Sequence, residues 1–239
     1  MIKYLRVLAV ADIHSPRYLQ LFIASLSRVD TKTVDLVVLA GDSVDRGRVE
    51  AFKPVNEVLQ RLFSDKPVVA VFGNEEYFDR EAEFPKHYPS IHWINDSCLE
   101  IDVKGIKLCI VGSRGVLKRP THWQSRHIPN IHQLYRERLE KLRNLLRDAR
   151  KRCEVVMLVT HYASSMTTVR GEPPNILQYL GYPLIESLSP EERPDIAIHG
   201  HAHNAKVLNA RIGTTEVYNV SLPAKRGVTV IDYTYARLV

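Results

Sequence analysis

Acidic, amide and imidazole side chains occur in five short motifs along the 239-residue chain. The motifs are Asp12-Ile13-His14, Gly41-Asp42, Gly73-Asn74, Thr160-His161 and Gly200-His201-Ala202-His203. Carboxylate and amide oxygens together with imidazole nitrogens bind Mn²⁺, Fe, Zn²⁺, Co²⁺ or Ni²⁺. The chemistry predicted by this set is metal-assisted, with seven candidate ligands: Asp12, His14, Asp42, Asn74, His161, His201 and His203.

Each motif taken alone has an ordinary structural explanation. Asp42 has the position of a helix N-cap, Gly73-Asn74 is a turn signal, and a lone His161 is usually structural. Residues two apart on an extended chain point to the same face, so the two Asp-x-His and His-x-His pairs can each converge on one ion. Because all five motifs occur together and in order, a shared metal site is favoured over five separate structural roles.

The elements that must position these motifs are short strands. Runs of β-branched residues alternate with amphipathic segments in the first half, predicting strands over 5–11, 35–40 and 68–72 and helices over 16–29 and 49–63. Such alternation is typical of βαβ units and a mainly parallel sheet. Each motif follows a predicted strand, at the sheet edge where αβ proteins place their ligand-binding residues.

The second half of the chain predicts further strands and helices. Residues 91–94, 99–103 and 106–111 predict an antiparallel meander, and 113–130 an irregular loop facing the substrate. The remaining predictions are helices over 131–152 and 175–188, strands over 155–160 and 195–199, and a closing antiparallel set over 206–209, 216–220 and 228–233. Two sheets covered by helices predict an α/β fold, a four-layer αββα sandwich with two mixed sheets, in a single domain over 1–239.

Composition indicates the class of partner and the cellular environment of the protein. A formal charge of +6 and a pI near 9.2 favour phosphate-bearing partners without specifying any of them. No apolar run approaches the roughly 18 residues of a membrane span, so no membrane association is predicted. Cys98, Cys109 and Cys153 are odd in number and widely spaced, which suggests no disulfide framework and fits a cytoplasmic location. In the hairpin around 104–105, Glu100 rather than Cys98 is expected opposite Cys109.

The five motifs resemble the pattern of calcineurin-like metallophosphoesterases, which runs Asp-x-His, Gly-Asp-x-x-Asp, Gly-Asn-His, a lone His and Gly-His-x-His. Asp45 completes the second motif, and the resemblance extends from the first strand to past residue 203. It implies the four-layer sandwich, two divalent ions with Mn²⁺ favoured, and attack on a phosphate ester by a metal-bridging hydroxide. It also implies one ion held by Asp12, His14, Asp42 and His203 and a second held by Asp42, Asn74, His161 and His201.

The sequence departs from the family pattern at Glu75, which stands where the family has a catalytic histidine. An ionised glutamate repels a phosphoryl anion, and a phosphodiester carries less negative charge than a monoester dianion. We therefore expect phosphodiester hydrolysis, with Asp42, Asn74 and Glu75 as catalytic residues. Glu75 can act as an acid only if its surroundings keep it protonated.

The 113–130 segment is the expected source of substrate-binding groups. Its composition predicts Arg114, Arg119 and Arg126 as ligands of a substrate phosphate, and His122 or His127 as a substitute acid. The expected substrate is a small-molecule or nucleotide phosphate ester. The physiological substrate and the oligomeric state stay open.

Two other functions are compatible with the sequence. The first is a scaffold or interaction protein that kept the fold and metal binding but lost turnover, and Glu75 is its best evidence. The second is a nuclease that uses the basic face of the 131–152 helix. Acidic residues interrupt that face and no aromatic series accompanies it, so nucleic acid is not the favoured partner.

Overall fold

The computed structural model describes residues 2–236, in which eleven strands form two sheets. The first sheet has the order β11-β1-β2-β3-β4, with β11 antiparallel to β1 and the other pairs parallel. Its strands are β1 (Ile2–Val10), β2 (Leu36–Ala40), β3 (Val68–Val71), β4 (His92–Trp93) and β11 (Thr229–Ala236).

The second sheet has the order β5-β6-β7-β8-β10-β9. Its outer pairs are antiparallel, whereas β6, β7, β8 and β10 run parallel to one another. Its strands are β5 (Ser97–Val103), β6 (Ile106–Ser113), β7 (Val155–Thr160), β8 (Ile196–His199), β9 (Asn209–Ile212) and β10 (Thr215–Asn219).

Seven α-helices within residues 2–236 complete the architecture. They are α1 (Leu19–Leu26), α2 (Lys53–Phe63), α3 (Glu83–His87), α4 (His122–His127), α5 (Ile131–Arg152), α6 (Leu184–Ser187) and α7 (Leu222–Lys225). Helices α1, α2 and α3 pack on the outer face of the first sheet, and α5 and α6 pack on the outer face of the second.

The apolar residues of the central strands are buried on both faces, which explains why they read as continuous hydrophobic runs. On β1, Leu8 and Val10 pack towards α1 and α2, while Val7 and Ala9 pack against the second sheet. This division of alternate residues between two cores produces the layers helix, sheet, sheet, helix. The predicted αββα sandwich of two mixed sheets is confirmed.

Two predicted antiparallel sets are right only in part. In the expected meander, β5 and β6 do form an antiparallel hairpin in the second sheet, but β4 pairs in parallel with β3 in the first. In the expected closing set, β9 and β10 do pair antiparallel, but β10 also pairs in parallel with β8, and β11 returns to β1 in the first sheet. Sequence periodicity reports which residues are buried but not which strand lies alongside, and this is the reason for both errors.

Helix predictions vary in accuracy. Helix α5 and strand β7 have the predicted bounds. The segment 113–130, expected to be irregular, contains α4, whose start is fixed by a capping box between Thr121 and Gln124. The helix predicted over 175–188 is wrong for most of its length, because only a 3₁₀ turn over Leu177–Tyr179 and the short α6 are helical. Pro183, which precedes α6, cannot supply an interior helical N–H.

The expectation of no disulfide is also wrong. Cys109 on β6 is bonded to Cys153, the residue that follows α5, at an S–S distance of 2.03 Å. Glu100 does lie opposite Cys109 in the hairpin, as expected. Counting residues along the hairpin identifies only the neighbours of Cys109 within the hairpin. Its disulfide partner, Cys153, instead follows α5, the helix that packs over β6.

No helix within residues 2–236 combines the length and apolar character needed to cross a membrane. The single domain over 1–239 stays a prediction, and residues 1 and 237–239 lie outside the described part of the chain.

Candidate metal centre

The predicted ligands lie where strands of both sheets end. Asp12, Asp42 and Asn74 follow β1, β2 and β3, while His161 and His201 follow β7 and β8. Backbone hydrogen bonds tie these strand ends together within and between the sheets. The Asp12 N–H donates to the Gly41 carbonyl at 3.0 Å, and the His201 N–H donates to the Asp12 carboxylate at 3.0 Å. The carboxyl edges of the two sheets therefore meet at one place.

The ligand side chains form two adjoining groups, each with its ligand atoms within 4.8 Å of one another. Asp42 lies between the groups, because its Oδ2 is 3.2 Å from His161 Nε2 and 3.8 Å from His14 Nε2. The Asn74 amide oxygen is 3.1 Å from His161 Nε2. The first group is Asp12, His14 and His203, and the second is Asp42, His161 and His201. All seven predicted ligands are thus brought together.

Hydrogen bonds to Nδ1 orient the imidazole rings of His14 and His161, so that the Nε2 of each faces the other ligands. His14 Nδ1 is 2.9 Å from an Asp45 carboxylate oxygen, and its buried Nε2 has no hydrogen-bond partner among residues 2–236. His161 donates from Nδ1 to the Ala40 carbonyl at 3.0 Å, which turns its Nε2 towards Asp42. A second partner that fixes ring orientation is typical of metal-binding histidines. The residues present therefore fit a pair of divalent ions.

Ion pairs balance the charges of these groups in the metal-free chain. Burial lowers the pKa of His161, but the adjacent Asp42 carboxylate outweighs burial and raises it to about 9. Burial opposes ionisation of Asp12, yet the His203 imidazole, whose Nε2 is 3.2 Å from Asp12 Oδ1, brings the pKa of Asp12 below the usual range. Burial and the neighbouring His161 lower the pKa of His201 to about 4. The carboxylates are therefore ionised and ready to bind cations.

The backbone at the ligands adopts an uncommon conformation. Positive φ angles occur at Asp12 (60°), His14 (44°), Asp42 (51°) and His201 (67°). Left-handed conformations cost free energy in residues other than glycine and persist only where the surroundings enforce them. Gly73 allows the β2 and β3 loops to approach, since a Cβ there would lie 2.1 Å from Asp42 Oδ1. The loops are thus held in one arrangement by the fold.

Sequence reasoning missed Glu76, which is fully buried beneath the ligand loops. Its carboxylate accepts four peptide N–H groups: those of Asp42 at 2.8 Å, Ser43 at 2.6 Å, Val44 at 3.3 Å and Gly73 at 2.6 Å. Burial and the Asp42 charge raise the pKa of Glu76 to about 7. This side chain joins the loops that carry Asp42 and Asn74. The available signal was its position three residues after Gly73, the spacing of a capping box.

The Glu75 side chain has different partners from that of Glu76. Its carboxylate accepts the Arg46 N–H at 2.8 Å, and its own N–H donates to Asp42 Oδ1 at 2.7 Å. It is half-buried and lines a cleft of about 670 Å³ that also touches Asn74 and His201. Glu75 therefore borders both the metal ligands and the space in which a substrate would bind.

The three arginines predicted to bind substrate occupy different places. Arg114 lines the cleft but is buried, where its guanidinium donates to the Glu76 carbonyl at 2.8 Å and pairs with Glu81. Arg119 is exposed and is not among the residues that line the cleft, and Arg126 lines a separate surface hollow. The structure brings Arg114 to the cleft and leaves the other two outside it.

The histidines outside the ligand set have distinct surroundings. His199 is buried between Thr168 Oγ1 at 2.6 Å and the Gly200 carbonyl at 2.9 Å, and burial lowers its pKa to about 4. His122 and His127, predicted as substitute acids, are exposed on α4. The His127 ring stacks on Trp123.

Comparisons with known proteins agree with this geometry. A family model described as calcineurin-like phosphoesterase matches residues 5–205. No match is found among curated proteins.

Solved structures share the fold at low identity. A putative 5'-nucleotidase from Staphylococcus aureus has a TM-score of 0.61 and 17% identity, covering 97% of this chain and 51% of its own. A dimetal phosphatase from Danio rerio has a TM-score of 0.53 and 13% identity, covering 90% and 86%. The anchor in the inner membrane complex of Plasmodium has a TM-score of 0.58 and 15% identity, covering 96% and 81%. The chain thus spans about half the length of the nucleotidase.

Proposed function

This chain belongs to the calcineurin-like phosphoesterase family, and on that premise we propose that it is a hydrolase of phosphodiesters that works with two divalent ions. The observation that carries the proposal is the position of Asp42, whose Oδ2 lies between the two ligand groups, 3.2 Å from one imidazole and 3.8 Å from another. A carboxylate with two oxygens in that place is suited to contact both ions.

Each ion would have four ligands from the chain. When bound, the two ions would neutralise the phosphoryl group and acidify an attacking water. We propose Mn²⁺ as the metal, which the nitrogen and oxygen donors of the set accept along with Fe, Zn²⁺, Co²⁺ and Ni²⁺. Asp12, His14, Asp42 and His203 would hold one ion, and Asp42, Asn74, His161 and His201 would hold the other.

The residues around the ligands keep them in place. Asp45 orients His14, the Ala40 carbonyl orients His161, and the Glu75 N–H fixes one oxygen of Asp42. Ligands held in this way need little rearrangement when a substrate phosphate arrives, which favours catalysis over loose binding. Asp42 and Asn74 would thus contribute to catalysis through the ions.

Glu75 supports the preference for diesters. Its carboxylate lies at the cleft next to Asn74, where it repels a phosphate dianion more strongly than a diester monoanion. The substrate we propose is a small-molecule or nucleotide ester.

A cytoplasmic location stays a prediction from cysteine usage. The disulfide between Cys109 and Cys153 weakens that basis.

The deciding experiment is hydrolysis of an aryl phosphodiester and an aryl phosphomonoester by metal-stripped protein resupplied with Mn²⁺. Diester turnover that requires Mn²⁺ and is lost in Asp42→Asn, but not in the exposed control Asp148→Asn, supports the proposal. Glu75→His should raise monoester turnover relative to diester turnover, whereas Glu57→His on the exposed side of α2 should not. A wild-type preference for the monoester would contradict the proposed specificity.

A metal-binding scaffold is the alternative that this experiment also tests. Two bound ions per chain, measured by elemental analysis, with no turnover of either ester by any of the candidate metals would favour the scaffold. The complete ligand set and its supporting hydrogen bonds favour the enzyme, because a scaffold has no need of them.

A nuclease has less support from the surface of α5. Four of its basic residues are paired with carboxylates on neighbouring segments, which leaves them less available to a nucleic-acid backbone. The pairs are Arg138 with Asp96, Arg143 and Arg147 with Glu192, and Arg150 with Asp195.

A further inference from the structure

Aromatic side chains are concentrated at the cleft beside the metal ligands. Five large hydrophobic side chains are exposed among the described residues, and three of these line this cleft. They are Tyr77 (43% exposed), Phe78 (48%) and Trp123 (61%), which we call the aromatic wall. Exposed apolar side chains grouped at one place are typical of a binding surface rather than of random surface composition.

Two rings of the aromatic wall are held by a partner on one face. The His127 imidazole stacks on Trp123 with ring centres 4.8 Å apart and an angle of 19°. The Arg114 guanidinium carbon lies 4.2 Å from the centre of the Phe78 ring. Both side chains are still about half exposed or more, so each keeps ring surface that a ligand can reach. Rings fixed in this way lose little entropy when a ligand stacks on them.

The polar groups next to the aromatic wall already have partners within the protein. Gln124 donates to the Tyr162 hydroxyl at 3.0 Å and accepts from the Tyr135 hydroxyl at 3.1 Å. Arg114 is paired with Glu81. Groups engaged in this way are poorly placed to read the hydrogen-bonding edge of a ligand.

The charges around the cleft also limit the ligand. Arg114 is the cation among the residues that line it, and Glu75 and Asp79 are the anions. With its one cation engaged, the cleft would repel a second phosphate group. A volume of about 670 Å³ is sufficient for a ring together with its sugar or linker.

We propose that the aromatic wall binds a planar, uncharged aromatic ring, a nucleobase in particular, carried by an ester with a single phosphate. The ring stacks on the free faces of Trp123 and Phe78 while the phosphate lies at the metal ligands. Recognition is by the face of the ring, so different bases are accepted alike. This inference rests on the proposed function, because the metal centre must hold the phosphate.

The test compares adenosine 5'-monophosphate with ribose 5-phosphate, which differ by the base and carry the same monoester phosphate, so that repulsion of this dianion by Glu75 affects both probes alike and cancels in the ratio of their affinities. Dissociation constants are measured by calorimetry on the Mn²⁺-loaded full chain. Stacking of one base predicts about tenfold tighter binding of the nucleotide. Trp123→Ala should abolish most of this roughly tenfold difference in affinity and Phe78→Leu part of it, while the dissociation constant of ribose 5-phosphate stays unchanged. Tyr4→Ala, which removes a 64% exposed aromatic ring elsewhere, is the matched control and should leave the ratio unchanged.

The outcomes separate this inference from the proposed function. Equal affinities for the two probes, or a ratio that survives both wall variants, would overturn the aromatic site while leaving the metal-bound phosphate intact. A discrimination of more than about tenfold between adenosine and uridine monophosphates would overturn recognition by the ring face, because stacking tolerates every base. Ribose 5-phosphate binding that does not depend on Mn²⁺ would contradict the proposed function, and this inference would fail with it.

Discussion

The metal ligands and the aromatic wall border the same cleft but are constructed differently. The ligands stand at strand ends, are buried or half-buried, and are tied to one another through backbone hydrogen bonds. Phe78 and Trp123 stand on a turn and on the short helix α4, and are largely exposed. A densely connected region tolerates little change, whereas an exposed region can vary without loss of the fold. On the functions proposed above, the metal ligands would determine the reaction, and the aromatic wall would determine which ester is accepted.

Gly73→Ala should have the largest effect, because it alters the densely connected region that holds the metal ligands. The new methyl group would lie 2.1 Å from Asp42 Oδ1 and 2.4 Å from the Asp42 nitrogen, so the two ligand loops would have to separate. We expect Mn²⁺ affinity to fall by about 100-fold and the free energy of unfolding by about 1–3 kcal/mol. Calorimetry and thermal unfolding measure the two quantities.

Gly227→Ala is the matched control, because its Cβ would meet Ser25 at an ordinary 3.4 Å. If Gly73→Ala binds Mn²⁺ as the wild type does, the loops are not held in contact as the structure has them.

Glu76→Gln should have the next largest effect. The amide that replaces the carboxylate keeps one acceptor oxygen and presents an NH₂ group in place of the other. One pair of peptide N–H groups, that of Asp42 and Gly73 or that of Ser43 and Val44, therefore loses its acceptor, and the ligand loops are held less firmly. Loss of a supporting residue typically weakens metal affinity by about 10–100-fold. The measurement is a Mn²⁺ titration, with Glu57→Gln on the exposed side of α2 as control. Unchanged affinity would mean that the ligand loops hold their shape without Glu76.

The pH dependence of metal binding should be intermediate in size. The pKa of His161 is raised to about 9 in the metal-free chain, so its imidazole is protonated at neutral pH and must lose that proton to bind a cation. Apparent Mn²⁺ affinity should therefore rise about tenfold per pH unit towards 9 and level off above it. Calorimetry in two buffers of different ionisation enthalpy counts the released protons.

His92→Gln, at an exposed position, should leave this pH dependence unchanged. Affinity that stays constant between neutral pH and about 9 would argue against the ion pair of His161 with Asp42.

Substitution of the outlying arginines should have the smallest effect. Arg119 and Arg126 are exposed and are not among the residues that line the cleft. We expect Arg119→Ala and Arg126→Ala to change diester turnover by less than about twofold, as surface substitutions usually do. A larger loss of kcat/KM in either variant would show that this arginine reaches the substrate as the sequence predicts.

Local sequence patterns were sufficient for the layers and for the strand-end positions of the candidate metal ligands. An apolar run is buried whichever strand pairs with it. The strands β1, β2, β3 and β7 could therefore be predicted from the pattern of apolar residues alone. The ligands follow these strands directly, and parallel strands bring their carboxyl ends to one edge. The positions of Asp12, Asp42 and His161 were therefore predictable without knowledge of the long-range contacts.

Tertiary structure alone decided the features that depend on partners distant in the chain. Glu75 and Glu76 are adjacent residues of the same type, so local sequence does not distinguish them. Yet Glu76 is buried and accepts hydrogen bonds from four peptide N–H groups, while Glu75 lies at the cleft. Three other features depend on distant partners in the same way: the pairing of β11 with β1, the disulfide of Cys109 and the position of Trp123 at the cleft. Periodicity specifies whether a side chain is buried, and only packing of the whole chain selects its partner.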